Sequence, residues 1–314
     1  MLSLSMELEL GWGGVFASTA ELHSQFSGPE RTLETKRLHQ LLSLCEKYDI
    51  PISFDVVGHL LLDECNGHDA PHREWFQKHD PMGEQRDFPL YYAPDLVKSV
   101  SESDTAHEIC THTFSHIPTD EMSSESINWE LMKSQMVHAR AGYSKSTSLV
   151  TPQHRSVSLE TVNQNGISVL RTPNKSGSAV DGYPENGGLV ERFTWNLQRN
   201  PPTEEPEWKD GVLQVFCSSG PSLTSPLLPR GQNAPHPTQQ AIPVSIREHI
   251  HRSYLSSALN AARDEHCVHL WSHLWDLAND TQWPLVREFL HTVGRAKANG
   301  MRVMTLSQLG LHFK

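Results

Sequence analysis

The chain of 314 residues is poor in cysteine, in long apolar runs and in clustered positive charge. Its five cysteines are odd in number, and no Cys-x-x-Cys pair occurs among them. This pattern argues against a disulfide framework and favours free thiols in a reducing cytoplasm. No run of about 18 apolar residues is present, so no transmembrane helix is predicted.

Positively charged residues are few, and they do not cluster. Lysine and arginine total 26 against 37 acidic residues, which leaves a net charge of −11. Without a basic patch, nucleic acid is not an expected partner. Residues 1–7 carry no basic residue and reach an acid at Glu7. This argues against a secretory signal peptide and favours a cytoplasmic location.

The remaining composition is that of a soluble globular protein, with 37% hydrophobic residues and a mean hydropathy of −0.47. Apolar and polar residues alternate along 2–10, which predicts a strand with Glu7 and Glu9 on one face. Strand and helix patterns alternate along the rest of the chain. Further strands are predicted at 50–57, 107–111, 148–151, 167–171, 212–217, 268–271 and 302–305.

Alternation of this kind predicts a parallel sheet covered by helices. The number of strands fits an irregular (β/α)7-8 barrel of the α/β class, and we predict a single domain over residues 1–314. Stretches rich in proline, glycine and polar residues interrupt the pattern, and loop inserts are predicted at 62–92, 172–211 and 218–242. The sequence leaves the oligomeric state open.

A pair of histidines directly follows the predicted strand 107–111. On a helical turn, His112 and His116 would point the same way, and imidazole is a common ligand for zinc and other first-row divalent ions. Two further pairs share this spacing, His68/His72 and His269/His273. Position favours the first pair, because parallel barrels carry their sites at the carboxyl ends of strands.

Acidic residues supply the rest of a possible metal site. Glu9, His112 and His116 would offer one oxygen and two nitrogens, which leaves a coordination position open for catalysis. Glu7, on the same strand face as Glu9, could accept a proton from water. His273, at the end of a later strand, could protonate a leaving amine. Together these residues predict a metal-assisted hydrolase.

Supporting roles are assigned from position alone. Arg155, which follows the predicted strand 148–151, could orient or neutralise the base carboxylate. Candidate substrate contacts are Asp80, Trp12, Trp271 and Pro152. Purely structural interpretations stay open for the main candidates. The acidic strand could expose its polar face at a sheet edge, His273 could be a core histidine and Arg155 could form a surface ion pair.

The motifs resemble those of the polysaccharide deacetylase family, the metal-dependent carbohydrate de-N-acetylases. The run His112-Thr113-Phe114-Ser115-His116 is similar to the family's second motif, and Glu7-Leu8-Glu9 is similar to an Asp-x-Asp/Glu form of its first motif. Leu149-Val150-Thr151-Pro152 keeps the apolar stretch and the proline of the third motif without a preceding arginine. The run 271–277, Trp-Ser-His-Leu-Trp-Asp-Leu, looks like the last motif.

The resemblance implies an irregular barrel that holds one divalent metal ion, with zinc the first choice among first-row metals. It implies the same three metal ligands, with Glu7 as the base and His273 as the acid. The expected reaction is removal of an acetyl group from an amino sugar or a glycan precursor. Asp55 lies in a Phe-Asp sequence like that of the usual first motif, but its place on the second predicted strand ranks it behind Glu7.

Two alternatives remain open from the sequence. The first is hydrolysis of a C–N bond in a substrate that is not a sugar. The second is a catalytically silent carbohydrate-binding protein, which the glutamate at position 7 and the altered third motif would allow.

Overall fold

A closed barrel of seven parallel strands surrounded by helices forms the centre of the molecule. The computed structural model describes residues 1–14, 24–173, 197, 199–218 and 220–314. The strands within these residues are β1 (Leu2–Leu8), β2 (Ser53–Val56), β3 (Glu64–Cys65), β4 (Gly83–Glu84), β5 (Glu108–Thr111), β6 (Ser148–Val150), β7 (Val169–Pro173), β8 (Glu207–Lys209), β9 (Val212–Cys217), β10 (Val268–His273) and β11 (Val303–Met304).

The helices connect these strands in the order expected of a (β/α) barrel. The α-helices of the described residues are α1 (Thr32–Tyr48), α2 (Arg73–His79), α3 (Pro94–Ser101), α4 (Ser124–Arg140), α5 (Leu159–Gln164), α6 (Pro237–Gln240), α7 (Val244–Arg263), α8 (Leu274–Leu277), α9 (Gln282–Ala298) and α10 (Leu306–His312). Single 3-10 turns follow three barrel strands, at Leu10–Trp12, Gly58–Leu61 and Pro152–His154. None of the helices in the described part of the chain is long and apolar enough to cross a membrane.

The barrel consists of two arcs of well-paired strands. The first arc runs β10-β1-β2-β5 and the second runs β6-β7-β9. Within the described residues, β5 and β6 pair only at Thr111 opposite Leu149, and β9 and β10 pair only at His269 opposite Cys217. By contrast, β1 pairs with β10 all the way from Leu2 to Glu7. The arcs therefore meet at two narrow seams.

The alternation along β1 has a cause that the sequence did not show. Every residue of β1 is buried, so it is not an edge strand with a solvent face. The apolar set packs outward in the main core with the helices, whereas Ser5 and Glu7 face a polar barrel interior. There Ser5 Oγ lies 3.1 Å from Nε2 of His269 and accepts a hydrogen bond from Arg171.

The predicted fold class and order of elements are confirmed, and the differences lie in the inserts. Segment 62–92 contains β3, β4 and α2, so it is not a plain loop. Segment 172–211 begins inside β7 and contains β8, which pairs antiparallel with β9. Residues 174–196 and 198 of that insert lie outside the described residues. The assignment of the whole chain to one domain stays a prediction.

Candidate metal centre

Glu9 lies just beyond the carboxyl end of β1, where the chain turns into the 3-10 turn Leu10–Trp12. Its side chain is buried at the mouth of the barrel, and Trp275 Nε1 lies 3.3 Å from Glu9 Oε1 as a hydrogen-bond donor. The glycine at position 13 leaves room for this carboxylate, because a Cβ there would collide with it. The 3-10 turn after β1 and the glycine at position 13 therefore allow the Glu9 side chain to point toward the barrel axis.

The two histidines of the second motif converge through a left-handed loop and not through the helical turn that their spacing suggested. Thr113 and His116 have φ values of 60° and 57°. Glu130 of α4 holds the loop by accepting hydrogen bonds from the backbone N–H groups of Phe114 and Ser115, each at 2.8 Å. A buried carboxylate from a neighbouring helix therefore fixes the positions of both imidazoles.

The side chains of Glu9, His112 and His116, called the rim cluster below, present three donor atoms within 4.8 Å of one another. Glu9 Oε2 lies 2.9 Å from Nε2 of His116 and 3.6 Å from Nε2 of His112. The Nδ1–H of His112 donates to the carbonyl oxygen of Val150 at 2.8 Å, which leaves Nε2 with its lone pair directed at the cluster.

The rim cluster fits a divalent cation. Nε2 of both histidines is buried and makes no hydrogen bond with any described residue. Burial raises the pKa of Glu9, but the neighbouring His273 and His116 outweigh it and hold the pKa below its usual range. A carboxylate and two imidazole nitrogens that face one point match the donor set of a catalytic zinc site with one position left open.

Glu7 sits beside the rim cluster and is held by an arginine from the opposite arc. Arg171 of β7 donates to Glu7 Oε1 and, at 3.3 Å, to Oδ2 of Asp55. Burial raises the pKa of Glu7, but Arg171 and His273 outweigh it and hold the pKa well below the usual value. Burial raises the pKa of Asp55 to about 6 despite Arg171. Glu7 is therefore the more acidic of the two carboxyl groups.

His273 ends β10 on the other side of Glu7. Its Nε2 lies 3.0 Å from Glu7 Oε2 and 3.3 Å from Glu9 Oε1, and its Nδ1 lies 3.1 Å from Asp276 Oδ2. Burial lowers the pKa of His273, but Glu9, Glu7 and Asp276 outweigh burial and raise it to about 10. Nδ1 also lies 2.9 Å from the Arg230 guanidinium, so the imidazole is held at both nitrogens.

These groups open onto a cavity of about 410 Å³ at the carboxyl ends of the barrel strands. Its lining combines acidic, imidazole and indole side chains, namely Glu7, Glu9, His116, Trp271, His273 and Trp275. The predicted contact Trp271 therefore faces the cavity. Pro152 is buried, and its neighbours Gln153 and Arg155 line the wall instead.

The predicted pairing of Arg155 with the base carboxylate is wrong. Arg155 lies in the loop after β6, and its guanidinium pairs with Asp120 at 3.3 Å. Arg171 makes the contact with Glu7, because its position in the middle of β7 directs it into the barrel. A sequence signal was available: Arg171 ends a predicted apolar strand of the barrel, and a buried arginine needs a carboxylate partner.

Two predicted substrate contacts lie away from the cavity. Trp12 is fully buried, and its ring centroid lies 4.6 Å from that of His59. Asp80 is buried beside His59 and His68. Neither residue lines the cavity, because the chain after β1 and the segment 62–92 fold back against the side of the barrel. Folding back of this kind is a long-range contact that a local sequence pattern does not measure, so neither residue lies where its position in the sequence suggested.

Comparison with known proteins agrees with the motifs. Residues 27–169 match the family model of polysaccharide deacetylase. The predicted resemblance to the polysaccharide deacetylase family is confirmed. The matched segment contains His112 and His116, whereas Glu7, Glu9 and His273 lie outside it. No curated protein matches the chain in sequence.

Solved structures share the fold at low sequence identity. A putative polysaccharide deacetylase from Mycobacterium smegmatis is 13% identical with a TM-score of 0.60, over 99% of this chain and 88% of that one. A probable polysaccharide deacetylase from Pseudomonas aeruginosa PAO1 is 10% identical with a TM-score of 0.59, over 99% and 90%. The Puue allantoinase is 12% identical with a TM-score of 0.57, over 99% and 89%. At these identities the likeness concerns the fold alone.

Proposed function

We propose that this chain is a metal-dependent hydrolase that removes an acetyl group from the nitrogen of an amino sugar or glycan precursor. One observation carries the proposal: Glu9 and His116 of the rim cluster line a cavity at the carboxyl ends of the barrel strands together with Glu7 and His273. That is the face on which such barrels carry their sites. The family resemblance of residues 27–169 supports the same reaction class.

The metal would be held by Glu9, His112 and His116, and zinc is the proposed ion because it accepts one oxygen and two nitrogens and leaves a position open. When bound, such an ion polarises an amide carbonyl and makes water a stronger nucleophile. The hydrogen bond from His112 to Val150 O fixes which ring nitrogen is available as a ligand.

Proton transfer is assigned to Glu7 and His273, whose Oε2 and Nε2 atoms lie 3.0 Å apart in the cavity wall. Glu7 is ionised and can accept the proton of the attacking water, while Arg171 keeps its carboxylate oriented. Against burial, the neighbouring carboxylates raise the pKa of His273, which favours a protonated ring that could give its proton to the departing amine nitrogen. A carboxylate base and an imidazolium acid on one wall fit general acid–base hydrolysis of an amide.

The cavity fits a small saccharide. Its volume of about 410 Å³ lies in the range of about 300–1,000 Å³ typical of small-molecule sites. Trp271 and Trp275 place indole rings in the cavity wall beside polar groups, which suits a ring that is apolar on its faces and polar at its rim. All five cysteines are free and buried, which supports a reducing compartment such as the cytoplasm.

The test is acetate release from N-acetylated sugars by the metal-loaded protein. We expect release that is lost in His116→Ala and kept in His39→Ala, which removes an exposed histidine of α1. Release of ammonia or a ring-opened product from non-sugar amides, without acetate from sugars, would move the assignment to another C–N hydrolase. Saturable sugar binding without turnover of any amide would establish a binding protein instead.

A further inference from the structure

A second group of side chains that could bind a metal ion comes from residues 59–80, outside the cavity. His59, Cys65, His68 and Asp80, called the loop cluster below, present four donor atoms within 4.8 Å of one another. His59 comes from the 3-10 turn after β2, Cys65 ends β3, and Asp80 follows α2. None of the four lines the substrate cavity.

The donor atoms converge on one carboxylate oxygen. Asp80 Oδ2 lies 3.2 Å from His59 Nε2, 3.1 Å from His68 Nε2 and 3.4 Å from Cys65 Sγ. Cys65 Sγ lies 3.0 Å from His68 Nε2. Zinc–ligand bonds of about 2.0–2.3 Å in a tetrahedron place neighbouring donor atoms about 3.3–3.7 Å apart. The separations in the loop cluster are close to that range.

Further hydrogen bonds orient three of the four donor groups toward one another. Nδ1 of His59 lies 3.3 Å from the carbonyl oxygen of Tyr91, and an N–H there leaves Nε2 as the ligand nitrogen. Asp80 Oδ1 accepts a hydrogen bond from the backbone N–H of Met82 at 2.8 Å, which leaves Oδ2 facing the cluster. The backbone N–H of Gly67 donates to Cys65 Sγ at 3.3 Å, and the φ of 120° at that glycine is one that other residues rarely adopt.

Burial makes hydrogen bonding alone a poor account of this arrangement. The side chains of His59 and Asp80 are fully enclosed, and that of His68 is 3% exposed. Rings of Trp12, Phe76 and Phe114 surround the two imidazoles with centroid separations of 4.3–5.5 Å. Three donor-capable atoms compete for one oxygen of a buried carboxylate, whereas a cation at the common point would be bound by all four groups.

We propose that His59, Cys65, His68 and Asp80 form a second, structural metal site with a preference for zinc. A thiolate with two imidazoles and one carboxylate is a borderline-soft donor set that suits Zn²⁺ better than Mg²⁺ or Ca²⁺. Four protein ligands fill a tetrahedral sphere, so no position remains for substrate. The proposal does not rest on the proposed deacetylase activity, because the four ligands lie outside the substrate cavity.

The loop cluster contacts the loop that carries the two histidines of the rim cluster. The backbone N–H of His59 donates to Phe114 O at 2.8 Å, and that of Gly58 donates to Thr113 O at 2.9 Å. Phe114 also packs against the rings of His59 and His68. Thr113 and Phe114 lie between the two histidines of the rim cluster. An ion in the loop cluster would therefore stabilise the conformation of that loop.

Metal content of the purified full chain is the first test. We expect about two equivalents of zinc per chain in the wild type, one in Cys65→Ala and two in the matched control Cys45→Ala, which removes another buried free thiol. His116→Ala should also hold one equivalent. Equal metal content in Cys65→Ala and the wild type would overturn the proposal.

Cobalt substitution tests the same site without relying on a variant that must fold. Cobalt-loaded wild type should show the near-ultraviolet thiolate-to-cobalt charge-transfer band, because the loop cluster contains a cysteine and the rim cluster does not. The band should survive in His116→Ala and disappear in Cys65→Ala. Absence of the band from cobalt-loaded wild type would refute a metal bound by Cys65.

Discussion

The rim cluster and the loop cluster differ in the number of ligands they offer to a metal ion and in their access to a cavity. The rim cluster has three ligands from two separate segments and lies at a cavity. The loop cluster has four ligands drawn from residues 59–80 and is enclosed by aromatic rings. Histidine supplies ligands in both clusters, so the residue type does not distinguish a catalytic metal site from a structural one. The rim cluster is distinguished by its missing fourth ligand and by the cavity beside it.

The largest effect should follow removal of the base beside the rim cluster. Glu7→Gln should lower kcat by about 10²–10⁴-fold, the usual contribution of general acid–base catalysis, while the metal content stays unchanged. Paired assays of turnover and bound metal measure this. The control is Glu108→Gln, which removes a carboxylate bonded to Ser53 and Ser148 at the other end of the barrel. Full activity of Glu7→Gln would remove Glu7 from the mechanism.

The comparison predicts the opposite pattern for the loop cluster. A metal ion present at about a thousand times its Kd adds about 4 kcal/mol to the free energy of unfolding. A change of about 1 kcal/mol in that free energy shifts Tm by about 2–4 °C in chains of about 150–250 residues. Cys65→Ala should therefore lower Tm by roughly 10 °C while kcat well below that temperature stays within a few-fold of wild type. Calorimetry and turnover at low temperature measure both, and loss of activity with an unchanged Tm would reverse the two assignments.

A smaller effect should appear in the pH profile of the rim site. Burial lowers the pKa of His273, but the carboxylates of Glu9, Glu7 and Asp276 raise it to about 10. Asp276→Asn removes one of these charges, so the pKa falls and protonated His273 is lost at lower pH. The alkaline limb of kcat/KM should move to lower pH. In the control Asp280→Asn, an exposed partner of Arg37 is changed and the limb should not move.

The smallest effect is expected at Arg155. Its ion pair with Asp120 is partly exposed, and such pairs contribute about 0.2–1 kcal/mol. Arg155→Ala should leave Tm and the pH profile close to those of the wild type. Arg171→Met should instead lower stability by about 3–5 kcal/mol, because it leaves buried carboxylates unpaired. Thermal unfolding of the two variants side by side tests the contrast, and similar losses in both would contradict it.

Much of the fold was predictable because barrel strands have strong local signals. The alternation along 2–10 and the short apolar runs that follow placed each barrel strand, and chain order then selected His112 and His116 over two equally spaced pairs. Strand-end positions also brought Glu7, Glu9 and His273 together correctly, because parallel strands meet at one rim.

The failures concern contacts that depend on closure of the barrel or on folding back of loops. Arg171 meets Glu7 only because β7 lies across the barrel interior from β1. Its position in a predicted strand indicates a buried carboxylate partner, but no local pattern encodes which carboxylate that is. Asp80 reaches His59 because α2 returns the chain to the turn after β2. A local signal did exist there: two histidines, a cysteine and an aspartate within one segment are the donor types of a zinc site.

The two seams of the barrel have a consequence for hydrogen exchange. Across the β5–β6 seam, His112 donates to Val150 O, and from β7 Arg171 reaches Glu7 and Asp55 on the first arc. The side chains proposed for chemistry therefore also join the two arcs. Cooperative units of a structure open separately when few contacts link them. Amide protons of β6, β7 and β9 should exchange as one block and those of β10, β1, β2 and β5 as another, with an opening that also separates Arg171 from Glu7 and His112 from Val150.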